Sequence, residues 1–268
     1  MPFVFTVSAE KAARLEKGQR LILTGPSFPD RRDDVLAAIA PLPGMRAGDL
    51  LSVPDGPGCF RVLSRLVWPG AQQAPSPFVY LIEAAGPVEL TPGEARLAVS
   101  RDGWTLAWIT MSDKGSQGLR EDAAGPLIET IVGARLPLAF TRGHVIPDET
   151  AALRALLTDL ALTQGFDLIV TTGGTGVAPR DVTPEATLAV IDRRLPGFEA
   201  AMMAASLAKT PHAAISRAVA GTLGPSLVIN LPGSPKAVRE NLEPLLPALK
   251  HAIEKLQGDP SDCAQLTA

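Results

Sequence analysis

Along residues 1–100, short apolar runs alternate with turn signals. Phe3 to Val7, Leu21 to Leu23, Leu50 to Val53, Cys59 to Val67 and Phe78 to Ile82 are separated by Gly25-Pro26, Pro43-Gly44, Asp55-Gly56-Pro57-Gly58, Pro69-Gly70 and Pro75-Ser76-Pro77. Runs of this length between glycine and proline breaks read as strands of a small sheet or barrel. One helix is expected over Arg31 to Ile39, where Val35, Leu36 and Ile39 share a face. Gly70 to Pro77 reads as an exposed loop.

From about residue 103 the pattern changes. Trp104 to Met111 is a continuous apolar run between polar turns, as a strand buried on both faces requires. A helix follows from Gly125 to Val132, then a strand from Leu136 to Ile146. Glu149 to Gln164 places Leu153, Leu156, Leu157 and Leu160 on one stripe of a helix. Phe166 to Thr172 is a third strand. Helices are expected over Pro184 to Asp192 and Gly197 to Ala208, a strand over Leu227 to Leu231, and a long closing helix over Pro235 to Lys255. Alternation of this kind predicts an α/β fold, a parallel sheet with helices on both faces. The expected domains are therefore a β-rich unit at 1–100, an α/β unit at 103–257, and a flexible tail at 258–268.

Composition narrows the classes. With 25 basic and 28 acidic side chains in 268 residues the net charge is −3, and the deficit lies wholly beyond residue 100. Neither part has the basic footprint of a nucleic-acid binder. No run reaches the roughly 20 apolar residues a membrane span needs, and the N-terminus lacks the pattern of a secretory signal. The two cysteines, Cys59 and Cys263, support neither a disulfide framework nor a four-ligand zinc site. A soluble cytoplasmic protein is expected, with no nucleic-acid or membrane partner.

The candidate chemistry sits at the strand ends. Gly173-Gly174-Thr175-Gly176 follows the third strand of the second half, and Asp181 and Thr183 precede Pro184. Glycines there let amide N–H groups approach a phosphate. Pro232-Gly233-Ser234-Pro235 repeats the theme with Ser234 as N-cap. Ser112-Asp113-Lys114-Gly115 forms a third loop, so three such loops converge on one edge of the sheet. Asp148 and Asp181 stand at the same edge, where they could hold a divalent cation between phosphates. Taken singly, each feature also reads as an ordinary turn, with Asp148, Asp181 or Thr183 serving as a helix cap.

Residues 104–257 resemble the molybdopterin-binding domain of the molybdopterin adenylyltransferases. The resemblance is carried in order by SDKGSQGLREDAAGP (112–126), VIPDE (145–149), TTGGTGVAPRDVTPEAT (171–187), RLPGFE (194–199), AISR (214–217) and INLPGSPKAV (229–238). It implies a Rossmann-like domain, often trimeric, that binds molybdopterin and ATP and uses Mg²⁺ to transfer AMP. The family's essential aspartates match Asp148 and Asp181, as catalytic and metal-holding groups. Its substrate-binding positions match Ser112, Asp113, Gly173, Gly174, Thr175, Gly176, Ser216 (on the pterin side), Pro232, Gly233 and Ser234. Lys114 departs from the family's arginine, keeping the charge but losing the planar fork. Two alternatives share the pocket: a molybdopterin or cofactor carrier that does not adenylate, and a molybdenum-insertion enzyme. Residues 1–100 lie outside the resemblance and hold no catalytic constellation. They are expected to be an accessory domain that could dock a partner from the same pathway.

Overall fold

The computed structural model describes residues 3–9, 13–26, 28, 34–53, 58–68 and 78–260. The chain divides into two compact units, Met1–Asp102 and Gly103–Ala268.

The first unit is built from β1 (Phe3–Ala9), β2 (Ala13–Leu15), β3 (Arg20–Thr24), β4 (Val35–Ala38), β5 (Leu50–Ser52), β6 (Cys59–Val67), β7 (Phe78–Ala84), β8 (Val88–Leu90) and β9 (Gly93–Ser100). Seven of these close a barrel in the order β1-β4-β3-β7-β6-β5-β9, with β9 returning to pair with β1, while β2 and β8 form a separate ribbon. Alternate residues point inward, so Phe5, Val7, Leu23, Leu51, Phe60, Val62, Ile82 and Leu97 fill the interior. The helix expected over Arg31 to Ile39 is not present: Val35–Ala38 is strand β4, parallel to β3 and antiparallel to β1. Its burial alternates, with Leu36 and Ala38 inside. A short apolar run fits either period, and here the barrel supplies the partners that decide it. The loop expected at Gly70 to Pro77 and most of the expected tail lie outside the described residues.

The second unit holds β10 (Trp104–Met111), α1 (Asp113–Ser116), α2 (Gly125–Gly133), β11 (Leu138–Ile146), α3 (Thr150–Thr158), β12 (Leu168–Thr172), α4 (Thr183–Leu188), β13 (Arg193–Arg194), α5 (Pro196–Leu207), β14 (Ala220–Leu223), β15 (Ser226–Leu231), α6 (Pro235–Leu242) and α7 (Leu246–Leu256). The sheet order is β11-β10-β12-β15-β14-β13. Its first four strands are parallel, β14 runs antiparallel to β15, and β13, antiparallel to β14, returns to the direction of the first four, so the all-parallel expectation is corrected to a mixed sheet. The reason is a two-residue hairpin turn at Gly224-Pro225. Gly224 has φ 53°, the positive value that primed hairpin turns use at that place.

One face of the sheet buries Leu106, Leu168, Val170, Leu227 and Ile229 under Ile128 and Val132 of α2, Met202 of α5, Val238 and Leu242 of α6, and Leu249 and Ile253 of α7. α3 and α4 pack against each other. Three helices differ from their expected extents. α3 passes into π-helical turns over Asp159–Gln164, and α4 stops at Leu188. The closing helix is divided by a 3₁₀ turn at Glu243–Leu245, where Pro244 and Pro247 remove backbone donors. No described helix is long and apolar enough to cross a membrane.

The chain runs from β10 to β11 on one side and then crosses to β12 on the other. The carboxyl ends of β10 and β12 therefore flank a topological switch point, the usual ligand crevice of an open α/β sheet.

Candidate functional site

A cleft of about 390 Å³ opens at this switch point, lined by Thr110 to Ser112, Gly115, Arg120 to Ala124, Asp148, Thr172 to Gly174, Arg180, Asp181 and Gly233 to Pro235. It gathers Ser112, Asp148, Gly173, Gly174, Asp181, Gly233 and Ser234, which lie up to 122 residues apart in the sequence (234 − 112).

Each loop is held by its own short-range logic. Ser112 caps α1, its Oγ accepting from Gly115 N at 3.0 Å, which leaves the hydroxyl hydrogen to donate elsewhere. Ser234 caps α6 in the same way, accepting from Ala237 N at 3.2 Å. The glycine loop is pinned on both sides: Gly173 N donates to Leu231 O at 3.0 Å, and Thr183 Oγ1 donates to Gly173 O at 2.8 Å. Thr172 Oγ1 donates to Pro232 O at 2.8 Å, tying the ends of β12 and β15 together. Gly173 and Gly174 have φ of 96° and 64°. A Cβ on Gly173 would lie 2.5 Å from Met111 O, and one on Gly174 2.5 Å from Thr183 Oγ1. Side chains are excluded at both places by conformation and by space.

Neither aspartate is a helix cap. Asp148 Oδ2 accepts from Asp113 N at 3.1 Å, and Asp113 Oδ1 accepts from Asp148 N at 3.1 Å, a reciprocal clasp between the loops after β10 and β11. Asp181 Oδ2 accepts from Ala178 N at 2.7 Å and closes the loop after β12. Thr183 opens α4 as its first residue, with Val182 at the cap position. Burial is the main cause that pushes the Asp148 carboxyl above the ordinary aspartate range. The charges of Asp113 and Asp181 add to it, against the backbone donor from Asp113 and the charge of Arg180. Asp113 moves the other way, held low by hydrogen bonds from Arg180 and from the Asp148 amide.

The remaining expected site residues lie around the cleft. Asp113 braces Asp148 from behind. Thr175 and Gly176 are gripped by Arg217, whose N donates to Thr175 O at 2.9 Å and whose Nε donates to Gly176 O at 2.7 Å. Ser216 instead lines a second cavity, of about 520 Å³, with Glu185, Arg194, Glu199, Met202, Met203, Arg217 and Asn241. Its Oγ is enclosed there without a protein partner.

Two arginines and an aspartate were not foreseen as site residues. Arg217 Nη2 donates to Asp181 O at 2.7 Å and Nη1 pairs with Glu185. Burial raises the Glu185 carboxyl, but its hydrogen bonds and the charge of Arg217 leave it net below the usual range. Arg180 pairs with Asp113 and Glu149 at the rim. Asp122 accepts from Ala124 N, Gly125 N and Thr110 Oγ1, fixing the start of α2 against the cleft. All three lay inside the quoted motifs; the partners of the two arginines are loops distant in sequence, whereas Asp122 mainly holds amides two and three residues on.

Asp148 and Asp181, the carboxylates expected to hold a divalent cation, both line the cleft. No cluster of three or more His, Cys, Asp or Glu side chains that could hold a metal occurs among the described residues. Two carboxylates suit Mg²⁺, which commonly takes one or two from protein and completes its shell with water and substrate phosphates.

Known proteins align with this unit. A gephyrin from Dictyostelium discoideum is 42% identical over 166 residues, covering 59% of this chain but only 23% of that protein's length. A molybdopterin adenylyltransferase from Helicobacter pylori J99 is 40% identical over 153 residues, covering 56% of this chain and 86% of its own. The crystal structure of the molybdopterin biosynthesis enzyme MoaB from Thermus thermophilus superposes with a TM-score of 0.55 at 43% identity, covering 59% of this chain and 99% of that one. The family described as "probable molybdopterin binding domain" matches residues 107–251, more than half of the chain. The resemblance read from the motifs is thereby borne out, and the chain belongs to the molybdopterin-binding domain family.

Proposed function

We propose that the protein acts in molybdenum cofactor biosynthesis as a molybdopterin adenylyltransferase, transferring AMP from Mg-ATP to molybdopterin. The observation that carries the reading is the cleft, in which three phosphate-suited loops meet Asp148 and Asp181 at the β10/β12 switch point. Relatives named molybdopterin adenylyltransferase, about 40% identical over this unit, support it.

In this reading an oxygen of the terminal phosphate of molybdopterin attacks the α-phosphorus of ATP. The bond from that phosphorus to the bridging oxygen breaks, and pyrophosphate leaves. The nucleophile is already ionised, so no strong base is needed, and the chain's task is to align and neutralise. The Gly174 amide and the amides of the Gly233-Ser234 turn bind phosphate oxygens, while the Gly173 amide stays committed to Leu231 O. Ser112 donates its hydroxyl hydrogen, and Ser216 meets the pterin end in the second cavity. Asp148 and Asp181 would hold Mg²⁺, which would supply positive charge against the triphosphate.

A homotrimer formed through this unit belongs to the same proposal. α5 supports it less than its apolar content suggests, because Met202 is buried in the core and Phe198 packs against it, leaving Leu207 exposed. The barrel unit is assigned an accessory role, such as docking another protein of the pathway. Mass spectrometry of the product from molybdopterin and Mg-ATP tests the activity. Adenylyl-molybdopterin with pyrophosphate is expected, whereas binding without turnover, or molybdate-dependent release of AMP, would replace this reading.

A further inference from the structure

The charge of the cleft is poorly matched to a polyphosphate. Among its lining side chains Arg120 and Arg180 are cationic, whereas Glu121, Asp122, Asp148 and Asp181 are anionic. Arg180 is, moreover, already engaged. Its Nη2 donates to Asp113 Oδ1 and Oδ2 at 2.7 and 2.8 Å, its Nε to Asp113 Oδ2 at 3.1 Å, and its Nη1 to Glu149 Oε1 at 3.2 Å. These contacts join the loops following β10, β11 and β12, three of the four that line the cleft.

The network lies at the rim, in water: the side chains of Arg180, Asp113 and Glu149 are 55%, 41% and 56% exposed. Exposed ion pairs of this kind contribute little, because solvent screens them and two long side chains must be held still. A triphosphate offers the same guanidinium a bidentate acceptor of higher charge. It would sit further inside the cleft that Arg180 already lines, where screening is weaker.

Resting on the function proposed above, we infer that Arg180 is a polyphosphate-binding residue held in reserve by Asp113 and Glu149. In the free protein the two carboxylates occupy the guanidinium. An arriving triphosphate displaces them, and Arg180 turns from the rim to the phosphates. Asp113 then acts as a competitor that sets nucleotide affinity, a part different from direct substrate contact. The exchange also relieves the mismatch, since a cation committed to the rim becomes available to the ligand.

The competition has a distinctive sign. Removing an acidic competitor should tighten binding, and only while Arg180 is present. Calorimetric titration of the full chain with inorganic tripolyphosphate, in the presence of a chelator, reads this directly. Arg180→Gln should weaken binding about tenfold or more, the scale of a lost charge-assisted bidentate contact. Asp113→Asn and Glu149→Gln should each tighten it about two- to fivefold, the range of an exposed ion pair. In Asp113→Asn combined with Arg180→Gln the gain should vanish. Arg180→Lys should recover only part of the loss, because it lacks the fork.

A gain that persists in the double variant would mean that Asp113 merely repels anions, and would overturn the inference. So would parental affinity in Arg180→Gln, or no tightening in Glu149→Gln, which leaves the Asp113–Asp148 clasp intact should Asp113→Asn fail to fold. The same proteins assayed for AMP transfer separate the two claims. Transfer by Arg180→Gln with normal ATP affinity removes the inference and leaves the function. The expected tripolyphosphate pattern without transfer by the parent protein does the reverse.

Discussion

At the scale of single residues, Asp148 sits in a conflict that predicts a stability effect opposite to its use. Its carboxyl is raised by burial first, with the charges of Asp113 and Asp181 adding to it, so the folded protein holds its proton more tightly than the unfolded chain does. Stability linked to this group is full at acid pH and is lost as pH rises from the unfolded aspartate value through the folded one. Asp148→Asn removes that loss and keeps an oxygen to accept from Asp113 N. The variant is therefore expected to melt at a higher temperature than the parent at pH 7, with the gain disappearing below about pH 4, the ordinary aspartate pKa. Melting curves across that range check it, and a variant less stable at pH 7 would contradict the direction of the shift. Asp181 makes the complementary case. Its Oδ2 closes the loop through Ala178 N, which an asparagine oxygen can reproduce. Asp181→Asn should thus fold and bind molybdopterin, while turnover falls on the order of a hundredfold or more, the scale of losing one preorganised electrostatic group. Near-normal AMP transfer would remove the assigned role.

At the scale of elements, the glycine turn is a structure held from both sides, and its supports can be ranked. Arg217 reaches the carbonyls of Gly176 and Asp181, and its own amide reaches Thr175 O, so one residue fixes three points of the loop that carries Asp181. Arg217 is a positioning residue in this arrangement. Arg217→Ala should lower kcat with a smaller change in KM for ATP, and Arg217→Lys should rescue little, because a single ammonium cannot span the two carbonyls its guanidinium holds. Gly173→Ala tests the other side: positive φ and a Cβ 2.5 Å from Met111 O should cost about 1–3 kcal/mol in urea unfolding. These elements also show what the sequence displays and what it hides. β10, β12 and β15 were legible because each is an apolar run ending in a glycine or serine turn, and the convergence of their loops followed from parallel order. β14 was missed because Ala220-Gly221-Thr222-Leu223 has no apolar run and takes its strand character from pairing with β15. β4 was misread because four residues cannot separate a period of 2 from one of 3.6. The partners of Arg180 were hidden for a different reason: Asp113 is 67 residues away, and no local pattern encodes an ion pair between two loops.

At the scale of the whole chain, the two units have separate cores. Phe60, Leu51 and Ile82 belong to one cluster, and Leu106, Ile128 and Val238 to another. The family match begins at residue 107 and lies entirely in the second unit. The second unit also ties its own entry strand down: Asp167, 1% exposed, accepts from both Thr105 N and Thr105 Oγ1, and Gln257 near the far end donates to its other oxygen at 2.6 Å. A carboxylate buried with these donors ties together β10, the start of β12 and the end of α7, all within the second unit. A protein starting at Gly103 is therefore expected to fold cooperatively. Breaking the tie by Asp167→Ala in that shorter chain should cost more than a typical surface change, about 2–4 kcal/mol, since it strands buried donors. The accessory role assigned to the barrel then makes a quantitative claim. Residues 103–268 alone should adenylate molybdopterin with the kcat and KM of the full chain, measured side by side on the same substrate. Equal constants leave the barrel free for docking. A folded 103–268 with weakened molybdopterin affinity and intact ATP binding would place part of the pterin site in the barrel, and the accessory assignment would fall.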